Sequence, residues 1–349
     1  MLADEVDYVV GVDTHRDAHV LAVIVASTGA VVAQRSVTTT ARGYGQALRF
    51  AAEHAVGRRV WAVEGVGHYG AGLARYLSGR GEPVLEAGRG PRNERRLQGK
   101  DDGLDAIRAA RATLTGDELA LPRAGQRQEA LRLLLLARRG AVEVRKLALV
   151  QLRSVIVTCP DQLRAELRRL PQKRLIDRCR LLRRSGSRTP DELAATLVLR
   201  TLARRVQAAT EEAAELQTEI LAHVRALAPR LLDEPGVGPI VAAQLIVSWS
   251  HKGRVRSEAA FARLAGVAPI PASSGQTTRH RLSRGGDRQL NRALHTVILH
   301  RRLHDPATRD YIERRVAEGK TRRDATRLLK RYLARHLYRL LETQTPLMT

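Results

Sequence analysis

The chain has 349 residues, enough for two or three domains with separate cores, and it carries 60 Lys plus Arg against 36 Asp plus Glu. Its net charge of +24 and pI of 11.3 must be screened, dispersed or matched by a polyanion, and nucleic acid is the polyanion expected; the 54 arginines reflect codon bias only in part, since that bias exchanges Lys for Arg without creating surplus charge. A membrane is excluded as partner, because no run reaches about 18 apolar residues, and the start MLADEVDY lacks a signal peptide's basic-then-apolar pattern, which predicts a cytoplasmic, nucleoid-associated protein.

The β-branched runs at 8–13, 18–25 and 30–38, separated by His15-Arg16-Asp17 and Ser27-Thr28-Gly29, predict three strands in a meander. A helix near 41–55, a strand at 59–64, a helix near 69–79 and a strand near 83–86 follow, and then the helix DGLDAIRAARATL. Strands alternating with helices need crossovers, so a mixed sheet with helices packed on it is the expected α/β product. From about 124 onward the strand signals vanish, and Pro122, Pro160 and Pro171 punctuate segments rich in Leu, Ala and Arg, so the remainder is expected to be all-α.

Cys159 and Cys179 are too few for a disulfide framework or a four-thiolate zinc site and are expected to be ordinary thiols. Leu199, Leu202, Val206, Ala209, Ala213, Leu216, Ile220, His223 and Leu227 recur at steps of three and four, a coiled-coil pattern open to two partners. One is another helix of the same chain, in an antiparallel hairpin; the other is a second copy. His223 reads as a tolerated polar position. After Pro229, the run PGVG precedes the apolar IVAAQLIVSW and is similar to a helix-hairpin-helix turn. Gly236 and Gly238 there would let backbone N–H groups approach a DNA phosphate, although such a turn also serves as a plain connector. Aromatics make up only 3% of the chain, so phosphate contacts rather than base stacking are expected to dominate recognition.

Asp13 ends the first strand, Glu64 ends the fourth, and Asp102 and Asp105 stand three apart on one face of a helix. Each alone suits a turn or a helix N-terminus. Together, four carboxylates at close range would repel by roughly 4 kcal/mol per neighbouring pair at about 4 Å. Two Mg²⁺ ions would offset that charge, and such a metal pair serves in-line displacement at phosphorus. Arg89, Arg92, Arg95, Arg96 and Lys100 crowd the segment before the acidic helix, where they could grip a nucleic-acid backbone.

Residues 266–292, GVAPIPASSGQTTRHRLSRGGDRQLNR, form a Pro- and Gly-punctuated loop leading into a basic helix. Ser274 precedes Gly275, and a serine hydroxyl attacks phosphorus once a base or metal activates it. Arg279, His280, Arg281, Arg284, Arg288 and Arg292 would offset phosphate charge or bind backbone.

These residues resemble the DEDD transposases of insertion-sequence family 110, which include bridge-RNA-guided recombinases. The resemblance spans nearly the whole chain: GVDTHRD, AVEGVGHYG and KDDGLDA in the first part, then PGVG, FARLAGVAPIPASSG and SRGGDRQLNRAL. It implies a ribonuclease-H-like (RuvC-like) domain over 1–122, a helical coiled-coil linker and oligomerisation region over 123–230, and a helical transposase domain over 231–349. It further implies that Asp13, Glu64, Asp102 and Asp105 bind Mg²⁺ and that Ser274 forms a covalent phosphoserine link with DNA. A homo-oligomer and a guide RNA belong to the same implication. Asp101 stands where the family commonly has Thr or Ser, and Ser273 lies beside Ser274, so both assignments have a neighbouring alternative. The expected function is site-specific DNA recombination; the alternatives are a junction-resolving endonuclease that uses water, and a non-catalytic nucleic-acid-binding derivative.

Overall fold

The computed structural model describes residues 2–87, 102–115, 120–183, 189–272, 280, 281, 283 and 285–343, and the chain separates into two compact units. The first comprises 1–125 together with 250–256, and the second 126–249 and 257–349.

In the first unit a short helix α1 (Leu2–Glu5) leads into β1 (Tyr8–Thr14), β2 (Ala18–Val25) and β3 (Val31–Thr38). Helix α2 (Ala41–His54), β4 (Arg59–Glu64), α3 (Ala71–Ser78), β5 (Val84–Ala87) and α4 (Asp102–Thr115) follow. The sheet order is β3-β2-β1-β4-β5. The meander β1-β2-β3 is antiparallel, whereas β4 and β5 join in parallel through helical crossovers. Central β1 therefore has an antiparallel neighbour on one side and a parallel one on the other.

Alternation along the strands assigns each face. Val10, Val12, Trp61 and Val63 pack in one core with Ala47 and Phe50 of α2 and Leu73 and Leu77 of α3. Val9, Val60 and Ala62 point the other way, into a core with Ala109 and Ala110 of α4. Burying each large side chain contributes about 1.5–3 kcal/mol. At Gly11 that second face has no room even for a methyl group: a Cβ there would lie 2.0 Å from the Ala106 carbonyl oxygen and 2.8 Å from Ala110 Cβ. The missing side chain lets α4 lie directly on β1.

His19 of β2 is fully buried, and neither ring nitrogen reaches a hydrogen-bond partner. It stacks on Tyr44, with ring centroids 6.0 Å apart. Burial holds its pKa below the ordinary value of 6.5, and a weaker backbone contact at Ala18 offsets this only in part. The neutral ring is thus favoured in the folded state. His19 contributes stability that is present above the unfolded-state pKa near 6.5 and is lost as pH falls toward the lower folded value. Urea unfolding midpoints are expected to drop between pH 7.5 and 5.5, with the drop smaller in His19→Phe. Parallel pH dependence in the two proteins would contradict this account.

In the second unit α5 (Gln126–Thr158) and α8 (Pro190–Leu227) form a long antiparallel pair, with α6 (Asp161–Leu167) and α7 (Gln172–Arg180) between them in sequence. Pro190 sits at the first turn of α8, and Glu192 accepts a hydrogen bond from the Thr189 backbone N–H at 3.1 Å. Leu199, Leu202 and Val206 share a core with Ala148, Leu152 and Ile156. Arg138 donates to Gln217 at 3.0 Å nearer the other end. The three-four seam of α8 is therefore covered by α5 of the same chain. Ala209, Ala213 and Ile220 are buried, while Leu216, His223 and Leu227 are half-buried. Cys159 and Cys179 are free and buried, and burial pushes the Cys179 thiol up to about 11.

Beyond a 3₁₀ turn (Pro229–Asp233), the unit continues with α9 (Pro239–Trp249), α10 (Glu258–Leu264), α11 (Arg288–His304), α12 (Pro306–Ala317) and α13 (Arg322–Thr343). One expectation is corrected here. The all-α region contains a short antiparallel ladder, β6 (Ile270–Pro271) with β7 (His280–Arg281). Pro269 and Pro271 account for it, since each fixes its own backbone and disfavours helical conformation in the residue before it. Among the described residues no helix is long and apolar enough to cross a membrane.

Candidate functional site

The register that seats α4 on the sheet also gathers the acids. Gly11 pairs with Ala62 in the parallel β1–β4 ladder. Two residues further along each strand, on the same α4-covered face, stand Asp13 and Glu64. Parallel neighbours lie about 4.8 Å apart, so these carboxylates emerge side by side at the strands' C-terminal ends. Asp105 immediately precedes Ala106, whose carbonyl abuts Gly11, so α4 carries it over that face. Asp102 begins the same helix one turn earlier; its side chain lies outside the described residues.

The strand ends are tied together locally. Thr14 Oγ1 donates to the Glu64 carbonyl at 3.0 Å. The turn after β4 closes over them, with Gly70 so tight that a Cβ would lie 2.8 Å from the Glu64 carbonyl oxygen and 3.2 Å from Thr14 Cγ2. Asp13, only 8% exposed, has His15 Nε2 at 3.0 Å from its Oδ2. Asp105 accepts from Arg108 at 2.7 Å. Sequence reasoning had not singled out His15, Thr14 or Arg108, although GVDTHRD places a hydroxyl and an imidazole beside the acid.

The donor chemistry suits a hard divalent cation, because Asp13, Glu64 and Asp105 are all carboxylates, the oxygen ligands such an ion prefers. Among the described residues, however, no three His, Cys, Asp or Glu side chains converge into a coordination group. Completing one calls on Asp102, and Asp13 and Asp105 would have to share their oxygens with His15 and Arg108. The basic residues Arg89, Arg92, Arg95, Arg96 and Lys100 and the alternative acid Asp101 lie outside the described residues.

In the second unit, Ser274, its neighbour Ser273, Arg279 and Arg284 also lie outside the described residues, as does the side chain of His280. What is described is the ground around them. Arg281 on β7 is exposed, as are Arg288 and Arg292 on α11. Asp287 caps α11, accepting from the Gln289 and Leu290 N–H groups at 2.8 and 3.1 Å, and receives the Ser248 hydroxyl at 2.6 Å. Asn291 donates to the Ala265 carbonyl at 2.7 Å and accepts from Lys330 Nζ at 2.8 Å. Lys330 is buried, and burial, followed by the nearby Arg327 charge, lowers its pKa. This Lys330–Asn291 brace gave no sequence signal, because an amphipathic basic helix hides which lysine turns inward.

The two glycines of PGVG differ. Gly236 adopts φ +83° and presses against α11, where a Cβ would meet the Val297 carbonyl oxygen and His300 Nδ1 at 3.2 Å. Arg301 secures that turn by donating to the Pro235 carbonyl at 2.8 Å and pairing with Glu234 at 3.0 Å. Gly238 is exposed with open space beside it, just ahead of α9.

Comparison with known proteins adds to this geometry. A family model for DEDD transposases of the IS110 type matches residues 10–159, and another, described as transposase of the IS116/IS110/IS902 family, matches residues 228–313. The chain is 35% identical over 152 residues to the "Insertion element IS110 uncharacterized 43.6 kDa protein" of Streptomyces coelicolor, covering 43% of this chain and 38% of that protein. It is 34% identical over 146 residues to the "Insertion element IS900 uncharacterized 42 kDa protein" of Mycobacterium paratuberculosis, covering 40% and 36%. The aligned part thus spans less than two-fifths of each of these relatives.

Proposed function

The chain belongs to the IS110 family of DEDD transposases, and from that premise we propose that it is a site-specific DNA recombinase that cleaves and exchanges strands at the ends of its own mobile element. The observation that supports this reading is the strand register that sets Asp13 level with Glu64 on parallel neighbours, on the face where the helix bearing Asp102 and Asp105 is seated. Such carboxylates would hold two Mg²⁺ ions, which when bound offset phosphate charge and activate a hydroxyl. In this reading Ser274 Oγ attacks the scissile phosphorus and gives up its proton to a general base, and a deoxyribose oxygen leaves, taking up a proton, as the phosphoserine ester forms. Reversal by a hydroxyl of another strand completes the exchange. Arg281, Arg288 and Arg292, together with Arg89, Arg92, Arg95, Arg96, Lys100, Arg279 and Arg284, supply phosphate contacts.

A homo-oligomer and a structured guide RNA are part of the same proposal. Support for the former comes from α5, whose Leu136, Val144, Leu147 and Val150 stay exposed at spacings that fall on one side of the helix. The rival reading, a junction-resolving endonuclease, draws on the same acids with water as nucleophile, and those acids all belong to the first unit.

Covalent trapping decides between them. With element-end DNA and Mg²⁺, the wild type is expected to give a protein–DNA adduct that survives denaturation, and Ser274→Ala is expected to lose both adduct and strand cleavage. Cleavage retained in Ser274→Ala, with no adduct from the wild type, would establish the endonuclease reading.

A further inference from the structure

Within the second unit, α5, α9 and α11 enclose a cleft of about 280 Å³, lined from the 266–292 segment only by Gln289 and Arg292 at the start of α11. It is near the lower bound of about 300 Å³ for small-molecule sites, the scale of one compact ligand rather than a polypeptide or a duplex end. Its walls combine an apolar floor, including Val142 and Ile240, with three arginines, Arg138, Arg139 and Arg292. Among the described residues Glu143 is the one carboxylate on the lining, and it also lies 3.7 Å from Lys146, so the three arginines leave the lining with net positive charge.

Arg138 is the sharpest signal. Its Nε is fully enclosed without an acceptor, while Gln217, the partner of its Nη2, is uncharged. Burial first, and the like charge of Arg145 second, disfavour its charged form. A guanidinium held in this way lacks an anion that the protein does not provide. Gln244 and Gln289 add amides to the same lining, groups that pair with base edges.

We propose that this cleft receives a single unstacked nucleotide of a nucleic-acid strand, its phosphate held by Arg139 and Arg292 beside Arg138 and its base lying on Val142 and Ile240. The inference rests on the reading of the chain as a nucleic-acid enzyme. Unstacked nucleotides are available in single-stranded RNA and in opened DNA, and both present the same phosphate and base.

The test uses the full chain and fluorescence anisotropy with four labelled probes: oligo(U), oligo(dT), an abasic strand of equal length, and duplex DNA. Val142→Met/Thr296→Met fills the cleft without changing charge, and is expected to weaken oligo(U) and oligo(dT) binding about tenfold while leaving abasic and duplex binding unchanged. Arg139→Glu/Arg292→Glu, at two exposed positions, is expected to weaken all strands and to reduce the single-strand salt slope by about 1.4, as for two lost phosphate contacts. Arg309→Glu/Lys320→Glu, exposed and not part of the cleft lining, is the charge control. A preference for oligo(U) or oligo(dT) assigns the nucleotide to RNA or DNA. Equal effects of the filling variant on the base-bearing and abasic strands, or an arginine variant no weaker than the control, overturn the inference. Wild-type cleavage of element-end DNA tests the underlying reading separately. Cleavage without cleft discrimination rejects the cleft alone; discrimination without cleavage rejects the recombinase alone.

Discussion

Asp13→Ala is expected to reduce Mg²⁺-dependent cleavage of element-end DNA by about a thousandfold or more, corresponding to about 4 kcal/mol of lost transition-state stabilisation. Asp13 carries this effect because of its position: central β1 holds it, it is nearly buried, and Glu64 stands level with it on the adjoining parallel strand. Removing a carboxylate from a site that already repels its neighbours does not threaten the fold. The variant is therefore expected to retain wild-type circular dichroism and duplex binding. Asp13→Asn keeps the shape without the charge and is expected to be as inactive, which separates ligation from packing. Cleavage within a few-fold of wild type in both variants would remove Asp13 from the chemistry.

The second large effect concerns stability. Gly11→Ala is expected to cost the first unit about 3 kcal/mol or more, at the upper end of overpacking penalties, because the new methyl would meet the backbone of α4 at 2.0 Å. For a unit of this size that lowers its unfolding temperature by roughly 10 °C. The clash is with a carbonyl oxygen rather than the end of a flexible side chain, so relief means moving the helix that carries Asp105. Activity should fall with stability. Gly67→Ala is the matched control: nothing lies within 4 Å of the corresponding position, and a change below 1 kcal/mol is expected. Equal melting temperatures for the two variants would show that α4 is not seated as described.

These two residues show what can be read from a linear chain. The strands were legible because Val, Ile and Ala runs bounded by turn residues mark them. Strands expected at 18–25 and 59–64 have those bounds in the structure, and that expected at 8–13 extends one residue to Thr14. The acids were legible as strand-end residues for the same reason. Their common face was not, since it depends on β4 adding in parallel beside β1 with Gly11 level with Ala62. No local pattern encodes that register. The partner of the α8 seam was likewise open, because a three-four repeat specifies a buried stripe and not whose helix buries it. Burial of Leu199 and Val206 against Leu152 and Ile156 answers the question for one face of α8. The cleft around Arg138 gave no sequence signal, as its walls come from three helices that are not consecutive in the chain.

The first unit is not one continuous stretch. Ser250, fully buried and held at φ 72°, donates its hydroxyl to the Ala124 carbonyl at 3.2 Å and faces the Ala124 N–H at 3.1 Å, while Arg254 reaches the Leu121 carbonyl at 3.1 Å. A polypeptide stopped at residue 125 would lack these late-arriving struts. During synthesis the Ala124 N–H and carbonyl and the Leu121 carbonyl therefore gain these partners only after more than a hundred further residues have been added. Genetic dissection at that point is better done by supplying the 250–256 peptide back, in trans or through a short fused loop, than by simple truncation.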